Sequence, residues 1–266
     1  MTMAMDMHDM HGTHADAADT WFRTVKRSLD PRLRLVCFPH VGGAASFFAP
    51  WEKLTPGDVE LIGVRYPGRE DRLLEPFAAT VRELAEPIAR ACSGLLDKPL
   101  ALFGHSMGAS VAHETARCLE REYGASVAAL FLSGRPGPGR QEPSTRYAEY
   151  SDGELVELIV RLGGTEAAAL EHPELRELIL PAIRADYRLL ARYQAPLTEL
   201  AAPVVVYCGD ADPDLDQDAV DAWKPVAGST FDVRRFDGGH FYLTDQAPAL
   251  LDDLFARLRP ATEARD

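Results

Sequence analysis

The chain has 266 residues, of which 46% are hydrophobic and 26% are charged, and this composition is typical of a globular protein with one large core. Its formal net charge of −13 and its sequence pI of about 5.1 argue against a nucleic-acid-binding face, which needs clustered lysine and arginine. No apolar run reaches the roughly 18–20 residues that span a bilayer. We therefore expect a cytoplasmic protein that binds neither nucleic acid nor membrane.

Residues 1–20 combine methionine, histidine, aspartate and alanine without hydrophobic periodicity. They lack the basic stretch and following apolar stretch of a signal peptide. His8, His11 and His14 could hold a metal ion, but the low apolar content of the segment favours a disordered tail. We expect no metal site in the protein, and we expect the folded domain to occupy residues 21–266.

From Arg32 onward, short apolar runs alternate with helical patterns. The runs are typical of strands buried on both faces of a parallel sheet, and they lie at residues 33–38, 59–64, 100–103, 127–132 and 204–208. The helical patterns lie at residues 76–96, 107–123, 215–223 and 245–258. Residues 230–236 alternate apolar with polar side chains, which predicts a strand near the edge of the sheet. The whole pattern predicts an α/β fold with a mostly parallel central sheet flanked by helices.

One segment, at about residues 136–200, interrupts this alternation with helical patterns alone. Ser151 or Asp152 can cap the first helix. The second helix starts at Pro173, and we expect it to break or kink at Pro181, because proline lacks the backbone N–H. A helical insertion at this place predicts a lid over the ligand-binding ends of the strands. Packing helices without a gating role are the alternative.

The four cysteines are scattered, at Cys37, Cys92, Cys118 and Cys208. Three of them lie in apolar surroundings. Their spacing matches neither a disulfide framework nor a metal site, so we expect buried reduced thiols.

The pentapeptide Gly104-His105-Ser106-Met107-Gly108 lies directly between a predicted strand and a predicted helix. Gly-x-Ser-x-Gly alone is a weak signal, but at a strand-to-helix turn the glycines leave room for the tight backbone that presents the serine hydroxyl above the sheet. The N-terminus of the following helix also stabilises developing negative charge. We predict that Ser106 is a catalytic nucleophile rather than part of a merely structural turn.

A serine hydroxyl is a poor nucleophile without a base, and His240 is the best candidate among the eight histidines. It follows the last predicted strand in a Gly-Gly turn, just before the C-terminal helix. Four other histidines suit the role less well: His40, His105, His113 and His172. The side chain of His105 is expected to point away from that of Ser106.

The base needs an acid that orients the imidazole and stabilises its charged form. Asp212 follows the strand predicted at 204–208 and precedes a proline, on a loop that can turn toward the site. Asp210 is the alternative, while Asp214 and Asp216 fit exposed charges at a helix start. The chain order Ser106, Asp212, His240 is the order expected of an α/β-hydrolase.

The tetrahedral intermediate needs an oxyanion hole, and two backbone N–H groups are predicted to form it. Met107 directly follows the nucleophile, and Val41 lies in a loop after the first predicted strand, where glycines let the main chain approach a ligand. A simple Gly-Gly turn is the alternative for that loop. The predicted substrate-pocket residues are His40, Gly42, Gly43 and Phe241.

Five motifs together resemble the type II thioesterases, the free-standing α/β-hydrolases that accompany polyketide synthases and non-ribosomal peptide synthetases. The motifs are CFPHVGGA at 37–44, RYPGREDR at 65–72, GHSMG at 104–108, GDAD at 209–212 and GGHF at 238–241. GHSMG alone is shared with many hydrolases, but the ordered set is specific, and the resemblance covers about residues 33–258. The chain departs from the pattern at Glu70, where the family often has glycine.

The resemblance implies a substrate in which an acyl group is held on the phosphopantetheine thiol of an acyl or peptidyl carrier protein. The enzyme would hydrolyse stalled or wrong acyl groups, would need no cofactor of its own, and would meet its partner transiently. The sequence does not fix the oligomeric state, and we expect a monomer by default. A carboxylesterase acting on small diffusible esters is the alternative. A non-catalytic binding protein on a hydrolase scaffold is a second alternative, against which the complete serine, aspartate and histidine set argues.

An acidic carrier protein would be repelled by a chain of charge −13 unless positive charge is concentrated locally. Six arginines lie on loops expected near the strand ends: Arg65, Arg69, Arg72, Arg135, Arg140 and Arg146. They are the candidates for a docking patch. A solvated face with ordinary salt bridges is the alternative.

Overall fold

A single sheet of seven strands dominates the computed structural model, which describes residues 19–141, 147, 149–163, 170 and 172–263. The strands are β1 Phe22–Lys26, β2 Leu33–Phe38, β3 Val59–Val64, β4 Leu100–His105, β5 Ala129–Ser133, β6 Val204–Gly209 and β7 Phe231–Phe236. Their order across the sheet is β1-β3-β2-β4-β5-β6-β7. β1 pairs antiparallel with β3, and the other described pairs are parallel. The predicted α/β fold is confirmed.

The two edge strands differ from the interior strands in burial. β4, β5 and β6 are buried along their whole length, whereas β7 alternates and keeps several side chains exposed, as predicted for an edge. β1 lies within the folded domain predicted at residues 21–266, but it was not predicted as a strand. Its sequence, FRTVK, is half polar and lies at the other edge, so it carries no continuous apolar run. Residues 1–18 of the predicted tail, which include its three histidines, lie outside the described residues.

Helices cover both faces of the sheet. Within the described residues they are α1 Val81–Ser93, α2 Met107–Tyr123, α3 Asp152–Leu162, α4 Pro173–Ala191, α5 Gln217–Asp221, α6 Tyr242–Asp245 and α7 Ala247–Glu263. α2 has the predicted bounds. The C-terminal helix predicted at 245–258 corresponds to α7, and the short α6 directly before it was not predicted. One apolar cluster packs α1 and α2 against the sheet, and a second packs α7 and a 3₁₀ helix, Ala45–Lys53, against the opposite face.

The insertion between β5 and β6 contains α3 and α4. Ser151 caps α3 through a capping box with Glu154, which settles the choice between Ser151 and Asp152. α4 runs without a break through Pro181, so the predicted break is wrong. Pro181 is exposed, as is Glu177 one turn earlier, so water can reach the carbonyl that proline leaves without a donor. Parts of the predicted insertion, residues 142–146, 148, 164–169 and 171, lie outside the described residues.

The four cysteines are buried and free, as predicted. Burial raises the pKa of each thiol, including that of Cys118 to about 11, so the thiolate form is disfavoured. None of the helices in the described ranges has the length and apolar character needed to cross a membrane.

Gly108, in the first turn of α2, lies directly against the end of β2. A Cβ atom at this position would lie 2.0 Å from the carbonyl oxygen of Phe38, a backbone atom that cannot move aside. By contrast, Gly153 in the first turn of α3 has open space where a Cβ would be placed.

We expect Gly108→Ala to destabilise the fold by about 3 kcal/mol, because the added methyl group forces β2 and α2 apart. Gly153→Ala is the matched control and should be neutral or stabilising by up to about 1 kcal/mol. Denaturant unfolding of both variants measures the difference. Equal stability of the two variants would show that the contact at Gly108 is not tight.

Candidate active site

Ser106 occupies a strained turn between β4 and α2. Its φ of 54° and ψ of −115° are unusual for a residue with a side chain. Its N–H donates to the carbonyl of Ser133 at 2.8 Å, which fixes the turn against β5. A Cβ at Gly104 would lie 2.2 Å from the carbonyl oxygen of Gly108, so the turn needs glycine on both sides. This is the geometry of a nucleophile elbow.

Asp212 and His240 form a direct hydrogen bond at the ends of β6 and β7. His240 Nδ1 lies 2.7 Å from Asp212 Oδ2, and the Asp212 side chain is only 1% exposed. The second carboxylate oxygen of Asp212 accepts from the backbone N–H of Asp214 at 3.2 Å. Both carboxylate oxygens therefore have donors, and the imidazole is held through one nitrogen, which leaves Nε2 for other chemistry.

Asp210, the alternative acid, has a different partner. Its Oδ1 accepts from the backbone N–H of Gly238 at 3.0 Å, which ties the loop after β6 to the loop after β7. Asp216 caps α5 by accepting from Ala219, as expected for a charge at a helix start. The structure therefore joins Asp212, and not Asp210, to His240.

Ser106, His240 and Val41 line the same cavity, of about 300 Å³. The side of this cavity that belongs to the insertion is formed by Leu158 and Leu162 of α3 and by Tyr187 and Leu190 of α4. A second pocket of about 30 Å³ shares Ser106, His240 and Val41 and adds His40 and Phe241. Three predicted site residues from distant parts of the chain thus meet beneath the insertion.

His105 is fully buried beside the site, with its ring 5.0 Å from that of His240. Its Nδ1 is 2.9 Å from Ser133 Oγ, which in turn is 2.7 Å from the hydroxyl of Tyr242. Burial lowers the pKa of His105 well below its ordinary value, and positive charge on His240 or His40 would act in the same direction. His105 is therefore a neutral packing residue whose polar contact is Ser133.

The loop after β2 forms a tight turn from His40 to Gly43. The N–H of Gly43 donates to the carbonyl of His40 at 3.0 Å, and Gly42 has a φ of 73°. These are features of a type II turn, in which the third residue needs positive φ. Val41 is the second residue of the turn and lines the cavity together with Ser106.

A buried ion pair supports this turn from outside. Arg69 donates from Nη1 and Nη2 to the two carboxylate oxygens of Asp186, each at 2.8 Å. Asp186 Oδ2 also accepts from the N–H of Gly42 at 2.9 Å, and Arg69 Nη1 donates to the carbonyl of Gly43 at 3.1 Å. Burial opposes the charge of Arg69, but the Asp186 carboxylate outweighs it and raises the pKa of the guanidinium.

Asp186 is a site residue that was not predicted from the sequence. A usable signal was present, since Asp186 falls between Ile183 and Tyr187 in the apolar pattern of the predicted second helix. A carboxylate on a buried helix face needs a cationic partner, because burying an unpaired charge is costly. Local spacing does not reveal which arginine supplies that partner.

The four predicted pocket residues have different positions. His40 packs edge-on against Phe241 and Phe47 with ring centroids 4.8 and 4.7 Å apart, and both His40 and Phe241 line the small pocket with Ser106. Gly42 instead lines a larger, mostly apolar cavity of about 640 Å³. Gly43 is buried against the His40 ring, where a Cβ would be 2.8 Å from Cε1.

Glu70, the departure from the family pattern, has a φ of 46°. Glycine adopts this conformation without strain, whereas a residue with a side chain needs compensating contacts. Glu70 Oε1 accepts from the N–H of Ser46 at 3.2 Å and pairs with Arg23 at 3.3 Å. These contacts hold the glutamate in a conformation that suits glycine.

The predicted arginine patch does not form an open positive surface. Arg69 and Arg72 are buried, and Arg135 is half-buried facing the cavity at Ser106, where burial lowers its pKa to about 10. Four of the six arginines are paired with carboxylates: Arg65 with Asp71, Arg69 with Asp186, Arg72 with Glu75 and Arg140 with Asp218. Arg146 lies outside the described residues.

No cluster of three or more His, Cys, Asp or Glu side chains in the described part of the chain could hold a metal ion.

The chain matches the thioesterase domain family over residues 33–258. The chain belongs to the thioesterase family. It is 39% identical over 250 residues to thioesterase PikA5 of Streptomyces venezuelae, across 92% of this chain and 89% of that protein. It is also 37% identical to a probable cadicidin biosynthesis thioesterase of Streptomyces griseus, across 93% of this chain and 68% of that protein.

The solved structures to which this chain is similar include type II thioesterases. The type II thioesterase BorB from the borrelidin biosynthetic cluster superimposes with a TM-score of 0.81 at 36% identity, over 90% of this chain and 98% of that one. YbtT, a type II thioesterase from the yersiniabactin pathway, gives 0.77 at 28% identity, over 91% and 99%. The resemblance to type II thioesterases and the α/β-hydrolase fold are confirmed, and the protein is a thioester hydrolase.

The buried His105 of this thioesterase should remain neutral over the pH range in which an exposed imidazole takes up a proton, because burial lowers its pKa. In the unfolded chain His105 would bind a proton near pH 6.5, whereas in the folded chain its pKa is lower. The unfolded state then binds more protons, so His105 contributes stability above about pH 6.5 that is lost as the pH falls.

Imidazole chemical shifts recorded between about pH 5 and 8 measure this directly, with the His105 signal assigned by its loss in His105→Gln. We expect no titration of that signal. We also expect the free energy of unfolding of His105→Gln to fall less steeply below about pH 6.5 than that of the unaltered protein. A midpoint near 6.5 for His105 would contradict its burial.

Proposed function

We propose that this thioesterase hydrolyses acyl thioesters on the phosphopantetheine arm of acyl or peptidyl carrier proteins, using Ser106, His240 and Asp212 as a catalytic triad. The observation that carries the proposal is the 2.7 Å bond between Asp212 and His240 at the cavity that Ser106 lines. The relatives named for polyketide and non-ribosomal peptide pathways support the choice of substrate. The protein needs no cofactor, because the substrate brings its own phosphopantetheine.

Acylation begins when His240 Nε2 takes the proton of the Ser106 hydroxyl. Ser106 Oγ then attacks the thioester carbonyl carbon, and the carbonyl oxygen becomes an oxyanion. Asp212 holds the imidazole by its Nδ1–H and stabilises the imidazolium that forms. When the intermediate collapses, the carbon–sulfur bond breaks, and the thiol leaves with the proton that His240 held.

Two backbone N–H groups stabilise the oxyanion in this mechanism. Met107 begins α2, so its N–H lies at the positive end of the helix dipole. Val41 lies in the turn after β2 and lines the same cavity as Ser106. Fixed donors in a site shielded from water are worth more than donors in solution, because they need no reorganisation during the reaction.

In hydrolysis of the acyl-enzyme, water is the nucleophile and Ser106 is the leaving group, while His240 again acts first as base and then as acid. His240 takes a proton from water, and the resulting hydroxide attacks the ester carbonyl of acylated Ser106. Collapse of the second tetrahedral intermediate breaks the bond between Oγ and the acyl carbon, and His240 returns its proton to Ser106. The products are a carboxylic acid and a carrier protein with a free thiol, ready to be charged again.

The insertion helices act as a lid in this proposal. Leu158 and Leu162 of α3 and Tyr187 of α4 form the apolar side of the cavity facing Ser106, so they shield the reacting carbonyl and contact the acyl chain. A carrier protein presents its substrate on a long, thin arm, which can enter beneath such a cover. The enzyme works as a monomer that docks its partner transiently, as suits removal of occasional wrong acyl groups.

The triad makes a sharp prediction for two neighbouring aspartates. Asp212→Asn should lower kcat by roughly 10⁴ with the fold intact, because asparagine stabilises the wrong imidazole tautomer. Asp210→Asn is the matched control, since its amide oxygen can still accept from Gly238, and its kcat should stay within about tenfold. Steady-state hydrolysis of an acyl-pantetheine thioester measures both. The opposite ranking would make Asp210 the acid.

The identity of the nucleophile has its own test. A fluorophosphonate probe should label the protein covalently, and Ser106→Ala should abolish both labelling and turnover while its unfolding transition stays unchanged. Labelling that survives in Ser106→Ala would place the reactive hydroxyl elsewhere. Absence of labelling in the unaltered protein would favour a binding protein.

Substrate class is tested by side-by-side turnover. An acyl carrier protein, the matching acyl-pantetheine and the matching ethyl ester should follow that order in kcat/KM, because a thiolate is a better leaving group than an alkoxide and the carrier adds docking contacts. A preference for the oxygen ester would overturn the proposed function. Equal kcat/KM for the carrier protein and the free thioester would show that no docking surface exists.

A further inference from the structure

The buried pair Arg69–Asp186 joins the insertion to the turn that contains Val41. Asp186 belongs to α4 of the insertion, whereas Arg69 belongs to the loop after β3, and 117 residues separate them. The side chains of Arg69 and Asp186 are only 9% and 4% exposed. Burying two charges carries a large desolvation cost, so such a pair persists only where the two groups are well aligned and their remaining hydrogen-bonding atoms have partners.

Both charged groups also bond to the backbone of the turn. The carboxylate of Asp186 accepts the N–H of Gly42, and the guanidinium of Arg69 donates to the carbonyl of Gly43. The carbonyl of His40 is already held by the N–H of Gly43. Four backbone groups of the turn are therefore held: the carbonyl of His40, the N–H of Gly42, and the N–H and carbonyl of Gly43. The N–H of Gly42 is occupied and unavailable to a ligand.

The bond to Gly42 holds the central peptide of the turn. Types I and II turns differ by a flip of this peptide, and positive φ at Gly42 belongs to type II. The His40–Val41 peptide is planar and trans, so its N–H points opposite to the carbonyl that Gly43 holds. The direction of the Val41 N–H therefore depends on the bond from Gly43 that closes the turn, and Asp186 and Arg69 hold the Gly42 N–H and the Gly43 carbonyl on the far side of that bond.

α4 also contacts the turn sterically. A Cβ at Gly42 would lie 2.6 Å from Cγ1 of Ile183, which lies three residues before Asp186 on α4. The helix therefore leaves no space between itself and the turn. A shift of α4 would break the contact with Gly42 and the bond from its N–H together.

We propose that Arg69 and Asp186 are positioning residues that hold the Val41 N–H in its oxyanion-binding direction. The oxyanion hole is then complete only while α4 keeps its contacts with the turn. The proposal rests on the proposed function, since it takes Val41 as an oxyanion donor. Neither side chain contacts the substrate; both act through the backbone of the turn.

Asp186→Ala removes the acceptor for Gly42 and one half of the ion pair. We expect kcat for an acyl-pantetheine thioester to fall about 100-fold, the range associated with losing or misplacing one oxyanion donor. We expect KM to change less than threefold. An alkyl boronic acid forms a tetrahedral adduct on a reactive serine, and its affinity should fall in parallel with kcat. If the pair only stabilised the fold, the folded variant would bind the boronic acid as tightly as the unaltered protein.

The matched control is Asp152→Asn. Asp152 pairs with Arg184 of α4 at 2.5 Å on the exposed side of the insertion, so this change also removes an ion pair of α4 but does not reach the turn. We expect kcat, KM and boronic acid affinity within twofold of the unaltered protein. A drop equal to that of Asp186→Ala would mean that any loosening of the insertion suffices, and would overturn the proposal.

A second variant covers the case in which Asp186→Ala does not fold. The double variant Arg69→Met with Asp186→Leu replaces the buried pair by apolar side chains of similar volume, a change that often preserves stability. If it unfolds at the temperature of the unaltered protein and loses kcat about 100-fold, the positioning role is supported. If the double variant folds and keeps full kcat, the positioning role is overturned. If it also fails to fold, the pair is needed for folding alone, and the positioning role is again overturned.

Failure of the proposed function gives a different result. If Ser106→Ala keeps its activity, the triad and the oxyanion hole are wrong together. If Ser106→Ala is inactive while Asp186→Ala keeps kcat and boronic acid affinity, only the positioning role is wrong.

Discussion

The strained turn at Ser106 is the constraint on which the rest of the site depends. Its backbone conformation is unfavourable for a residue with a side chain, and it persists because β5 holds the N–H of Ser106 and because Gly104 and Gly108 let two backbone segments touch. The turn raises a hydroxyl at the carboxyl edge of a parallel sheet. The loops after β2, β6 and β7 end at the same edge, so they can deliver a backbone donor, a carboxylate and an imidazole to one serine.

The carboxylates of Asp212 and Asp186 are both buried, but they have different partners. Asp212 faces an imidazole, and its bond orients a group that gains and loses a proton in the proposed mechanism. Asp186 faces a guanidinium, which stays charged at all physiological pH values, and its bonds extend to the backbone of a turn. A permanently charged partner suits a support that must not change during turnover, whereas histidine suits a group that must.

The insertion has two structural relationships with the core. α3 covers the cavity through apolar side chains, and its ion pair with α4 lies at the exposed surface. α4 is tied to the core by a buried ion pair and by close packing against Gly42. If the positioning role holds, α4 is a poor candidate for the moving part of a lid, and α3 is the better candidate among the described helices of the insertion.

The sequence by itself determined six of the seven described strands, the bounds of α2, and the order of serine, aspartate and histidine, because each follows from a local pattern or a short motif. Only the tertiary structure decided what depends on distant partners. It joined Asp212, the aspartate already preferred from the sequence, to His240 by a hydrogen bond, and it added β1 at an edge where no continuous apolar run is required. It also kept α4 continuous at the exposed Pro181. It also paired four of the six arginines expected to form an open patch with carboxylates, among them the buried Arg69 with Asp186. Periodicity reports which face of an element is buried, but the partner of a buried charge is set by the packing of elements far apart in the chain.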